Sequence, residues 1–255
     1  MPTENFEKYI KKRSQGEELG LFARMGKHFP RDEYKEGRLK LDFTYKFQHG
    51  EVLRATEDEE GFARVVLERN GKKVFDFNEL LPDGYRFATP SYLKTNNSDR
   101  IRNSLSGGHF KDPKNKLLFI GDMRTPDDIF AVLHEVGHAN QKSLDLKKMP
   151  HETVGEVIER RKKEIAAISF RERDAWSSAL KIARAIKNKT AVDLFEPYEN
   201  FSALKQVIYG ALLTHRFDDE YLEAQVGQFS EDDMKIFENL FDKGKFGKEK
   251  KEEVI

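Results

Sequence analysis

Two histidines four residues apart, His134 and His138, with Glu135 beside the first, form a segment whose residue types and spacing dictate a chemistry. At 3.6 residues per helical turn the two imidazoles leave one face of a helix, where they can reach a single metal ion. Neutral imidazole nitrogens are zinc ligands, and a hydrolytic Zn²⁺ site adds a third protein ligand and keeps one position open for water. The ion lowers the pKa of that water to about 7, and a carboxylate next to the first ligand takes its proton. Glu135 is therefore the candidate general base, and His134 and His138 are the candidate metal ligands. Ala131, Val132, Leu133, Val136, Gly137, Ala139 and Asn140 around them are uncharged, as a buried active-site helix requires.

The helix that carries the motif is predicted from about Pro126 to Gln141. Thr125 suits the N-cap, Pro126 the first helical position, and Asp127 and Asp128 the positive end of the helix dipole. Just before it, Lys116 to Ile120 is a short apolar run between Asp112-Pro113 and Gly121, which reads as a strand. A short edge strand next to the active-site helix is expected, with a peptide substrate adding along Leu117 to Ile120.

A third ligand is sought downstream. Thr153-Val154-Gly155-Glu156 fits a capping box, and the following helix extends to about Lys187. Its apolar stripe holds Ile158, Ile165, Ile168, Ala175, Ala179, Ile182 and Ile186, and Glu172 falls within that stripe. A carboxylate on a core-facing stripe is costly unless something positive meets it, either a metal ion or an arginine such as Arg171 or Arg173. Glu172 is the first choice for the third ligand and Asp174 the second. The small side chains of Ala175, Ser178 and Ala179 allow this helix to approach the motif helix closely at Gly137.

The remaining sequence predicts the scaffold. Leu39, Leu41, Phe43, Tyr45 and Phe47 alternate with polar residues as a half-buried strand does, and Asn70-Gly71 between Phe62–Glu68 and Lys73–Phe77 signals a hairpin. Residues 89 to 115 are polar and read as a long loop or boundary. Helical segments are expected near 154–187, 202–215 and 231–241. The expected class is α+β, with residues 1–115 a β-rich N-terminal region, 116–242 a helical zincin-like core, and 243–255 a disordered tail. The 255 residues carry zero net charge, which gives no bulk attraction to nucleic acid or to an anionic membrane, and no segment is apolar enough to span one. The absence of cysteine removes thiolate ligands and disulfides, so a zinc site here uses histidine and carboxylate. With no apolar segment near the N-terminus, a cytoplasmic location is expected.

Leu133-His134-Glu135-Val136-Gly137-His138-Ala139 followed by Glu172-Arg173-Asp174-Ala175-Trp176 resembles the gluzincin-type zinc peptidases, and more narrowly the small ImmA/IrrE-type metallopeptidases. The resemblance covers roughly residues 117 to 180. It implies a helix-rich peptidase core, Zn²⁺ held by His134, His138 and Glu172, and Glu135 as general base. His215, on the stripe of Leu204, Ile208 and Leu212, is a further candidate, as stabiliser of the oxyanion. The expected function is hydrolysis of a peptide bond in a peptide or protein substrate through a zinc-bound water. Two rivals are a non-catalytic, zinc-stabilised binding module and a zinc hydrolase of a non-peptide amide. The sequence does not specify an oligomeric state.

Overall fold

Alternation of apolar and polar residues builds an antiparallel four-stranded meander, β1 (Asp42–Lys46), β2 (Val52–Glu57), β3 (Ala63–Arg69) and β4 (Lys72–Asp76), in the order β1-β2-β3-β4. Phe43, Leu53, Ala55, Val65, Leu67 and Phe75 bury the inner face. Asn70 and Gly71 close β3 onto β4 with φ of 52° and 70°, the left-handed pair that a two-residue hairpin turn demands. The computed structural model describes residues 40–89, 91–92, 110–112, 114–121, 123, 125–141, 154–212 and 230–247.

A second sheet joins β5 (Arg86–Ala88), β6 (Phe110–Asp112) and β7 (Leu117–Phe119) in the order β5-β7-β6. β7 pairs parallel with β5 and antiparallel with β6, so it is the middle strand and not the expected edge strand. The physical reason lies in its side chains. Leu117, Leu118 and Phe119 are all buried, and a strand covered on both faces needs a continuous apolar run, whereas an edge strand is blunted by charge. A substrate strand therefore cannot add along Leu117 to Ile120, because both edges of β7 are taken. β6 and β7 both pack against the motif helix.

Four helices follow among the described residues: α1 (Asp127–Ala139), α2 (Val154–Thr190), α3 (Phe201–Leu212) and α4 (Glu231–Phe246). The start of α1 differs from expectation. Pro126 occupies the cap, and Thr125 donates from its N–H and hydroxyl to Asp128 Oδ2 at 2.8 and 3.2 Å where an accepting cap was expected. Asp128 thus satisfies the entry to the helix from inside its first turn. α4 opens with a capping box between Ser230 and Asp233 and continues past the expected start of a tail at 243. Residues 243–246 are helical because Gly244 packs against the Phe195 ring and Lys187 Nζ donates to the carbonyls of Gly244 and Lys245 at 3.0 and 2.7 Å.

The fold is α+β, an N-terminal antiparallel sheet followed by helices. One buried cluster runs from Leu41 and Phe43 through Phe87 and Leu118 to Trp176, Phe237 and Phe241, and the β5–β7 pairing crosses the 115/116 position. No helix among the described residues is long and apolar enough to cross a membrane.

Candidate metal centre

The motif helix is buried over most of its surface: Ile129, Phe130, Val132, Leu133, His134, Val136, Gly137 and Ala139 are all buried. α2 lies against it at its one glycine. A Cβ added at Gly137 would stand 2.8 Å from the Ala175 carbonyl oxygen and 2.9 Å from its Cα, so only glycine admits this approach. The small residues of α2 therefore do what the sequence suggested. They bring Glu172, one turn before Trp176, to the face of α1 that carries the imidazoles.

His134 Nε2 lies 3.1 Å from Glu172 Oε2, His138 Nε2 lies 3.1 Å from Glu172 Oε1, and the two Nε2 atoms are 3.0 Å apart. Zinc bonds of about 2.0–2.1 Å at the tetrahedral angle separate neighbouring donors by about 3.3 Å. The three side chains thus converge at close to the edge length of a zinc tetrahedron, and two imidazoles with one carboxylate are a donor set that Zn²⁺ accepts. His134, Glu135 and His138 also bring a potential ligand atom each to within 4.8 Å of one another. Glu135 is half-buried where His134 is buried, with a carboxylate oxygen beside the imidazole donors.

The rings are held from outside. Gln141 Nε2 donates to the Arg171 carbonyl at 2.8 Å, which turns Gln141 Oε1 toward His138 Nδ1 at 3.0 Å. An amide oxygen only accepts, so Nδ1 carries the hydrogen and the neutral ring presents a bare Nε2. On His134 the Trp176 indole stacks at 4.5 Å between centroids with an inclination of 32°. Sequence reasoning missed both of these residues. The available signals were spacings, Gln141 three after His138 and Trp176 four after Glu172, each of which puts the pair on one helix face.

Burial lowers the proton affinity of His138, but the hydrogen bond and charge of Glu172, the charge of Glu135 and the Gln141 contact outweigh it, and the net shift is upward from 6.5. Glu172 exposes 6% of its side chain and Asp174 60%. Asp174 faces outward and pairs with Arg173 at 3.0 Å, and Arg173 also reaches Asp233 at 3.7 Å. The stripe thus separates the two carboxylates as burial requires. His215, and His151 in the connector before α2, lie outside the described residues. Comparison with family models, with curated proteins and with solved structures finds no match for this chain.

Proposed function

We propose that this chain is a zinc-dependent peptidase whose metal ligands are His134, His138 and Glu172 and whose general base is Glu135. The observation that carries the reading is the convergence of two imidazole nitrogens and a buried carboxylate from two helices within 3.0–3.1 Å, with a second carboxylate alongside. A bound Zn²⁺ supplies Lewis acidity and brings the pKa of a water to about 7. Glu135 accepts the proton of the attacking water and returns it to the departing amide nitrogen, a two-way transfer that suits a carboxylate beside the ligands but outside them. Gln141 holds the His138 tautomer, and Glu172 meets the positive charge that its burial demands. A purely structural zinc would give Glu135 no task beside its ligands, which disfavours the non-catalytic module.

A peptide in preference to a small amide is supported by the second sheet. Among the described residues β6 ends that sheet and packs against α1, so an extended chain has an edge to join there in place of β7. His215 as oxyanion stabiliser remains part of the proposal, as does a cytoplasmic setting. Zero net charge favours a peptide over a nucleic acid.

Metal analysis of the purified protein with a peptide-library cleavage assay tests the reading. One zinc per chain is expected, most of it lost in His138→Ala and weakened in Glu172→Ala, with Asp174→Ala unchanged. Stoichiometric zinc in His138→Ala, or loss in Asp174→Ala instead of Glu172→Ala, overturns the ligand assignment.

A further inference from the structure

Trp176 is the sole tryptophan of the chain and is completely buried. It stands one turn beyond Glu172 on α2, so both side chains leave the same face of that helix. Glu172 meets His134 at its Nε2 edge while the indole covers its ring face. The indole Nε1 is buried with no hydrogen-bond partner among the described residues. Buried indole N–H groups usually find an acceptor, and an unmet one carries a cost that phenylalanine or leucine at this position would not incur. What the ring contributes at 176 is therefore its face, and that face lies on His134.

We propose that Trp176 is a positioning residue of the metal centre, its indole holding His134 in the ligating orientation and favouring that imidazole when it bears the charge of a bound ion. The proposal rests on the metal-centre reading above. Two physical effects act together. The ring torsion of histidine is broad, with two opposed orientations, and His138 has Gln141 to fix it. The tilted indole, 4.5 Å away between centroids and inclined by 32°, restrains the rotation of His134 from one face. In addition, an aromatic face attracts positive charge, indole most strongly. An imidazole that ligates Zn²⁺ shares its charge and a neutral free one does not, so the indole binds the loaded ring better than the empty one. Only such a difference between two states changes an affinity.

The test compares zinc affinity in wild type, Trp176→Phe and Trp176→Leu by chelator competition, beside urea unfolding of the metal-free proteins. Leucine leaves a larger gap than phenylalanine, and urea unfolding of the metal-free proteins reads that packing difference separately, so zinc affinities are compared after allowing for it. The expected result is zinc binding on the order of tenfold weaker in Trp176→Leu and within about threefold of wild type in Trp176→Phe, whose ring keeps an aromatic face. Equal affinities in the two variants overturn the proposal. Wild-type emission gives a measurement that does not depend on either variant folding. Titration with zinc should change it at one equivalent, the change vanishing in His134→Ala and persisting in Asp174→Ala. Emission unmoved by saturating zinc overturns the role of Trp176, whereas wild type that binds no zinc overturns the metal centre itself.

Discussion

Replacing Gly137 by alanine tests whether the spacing of α1 and α2 sets the metal centre. In an unconstrained helix this change stabilises by about 1 kcal/mol, because glycine is the poorer helix former. Here the new Cβ would face the Ala175 carbonyl oxygen at 2.8 Å, its Cα at 2.9 Å and its carbonyl carbon at 3.2 Å. Ordinary contact begins at 3.4 Å, so the closest approach falls short by about 0.6 Å, and the opposing atoms are backbone that cannot rotate away. The helices have to part. Overpacking of this kind costs about 1–3 kcal/mol, which offsets the propensity gain and leaves a net loss of roughly 0–2 kcal/mol. The metal donors straddle the same gap, two on α1 and one on α2, with 3.1 Å between each imidazole nitrogen and the carboxylate. Zinc bond lengths tolerate only about 0.2 Å, so a shift of half an ångström should weaken zinc at least tenfold while the fold survives. Urea unfolding of the metal-free protein and chelator competition measure the two quantities. A Gly137→Ala protein about 1 kcal/mol more stable than wild type, with zinc affinity unchanged, would refute the reasoning.

Glu135→Gln keeps the size of the side chain and removes the proton acceptor, so peptide turnover should fall by about 10²- to 10⁴-fold with zinc content intact, and wild-type turnover in a zinc-loaded variant would exclude this base. Gln141→Ala frees the His138 ring, and zinc affinity should drop by about 10- to 100-fold; an unchanged value would show that the amide does not set the tautomer. The proton affinity of His138 is raised in the metal-free fold, by Glu172 and Glu135 against the opposing effect of burial. A folded value above the unfolded 6.5 means that the protonated ring stabilises the fold fully below about 6.5 and that this contribution is lost as pH rises through the folded value. Metal-free stability should therefore decline as pH rises through that window while zinc affinity increases, since the departing proton uncovers a ligand. Denaturant midpoints and zinc titrations that slope in the same direction would contradict the His138–Glu172 pairing.

What the sequence disclosed and what it hid divide along the range of the interactions. The motif helix, the buried place of Glu172 against the exposed one of Asp174, and the Asn70-Gly71 hairpin all follow from local spacings, and the structure contains each of them. β2 carries only Leu53 and Ala55 as fully buried alternating positions, too short and small a signal beside the stronger runs on either side. The apolar run of β7 marks it as a strand, but its central place depends on β5, some thirty residues earlier, and on β6 inside a segment whose polar composition reads as loop. Strand neighbours are chosen by distant pairing, which no local period records. The reversal at Thr125 has the same origin on a smaller scale. Sequence position makes Asp128 a charge near the dipole, whereas in the fold its oxygen is the acceptor that closes the first turn.

The two sheets also set an order of assembly. Each strand of the meander pairs with the next in sequence, so the chain from 42 to 76 can close it by short loops as soon as it is available. The second sheet waits for Leu117 to reach Arg86, and it meets the first through the bridge of Phe62 with Ala88, the last residue of β5, and the Thr89 N–H donated to the Gly61 carbonyl. Until the helices arrive, Leu53, Val65, Leu67 and Phe75 present an uncovered apolar face. A chain interrupted between β5 and β7 should therefore hold a paired but adhesive sheet, and its aggregation should be suppressed by supplying the remainder in trans.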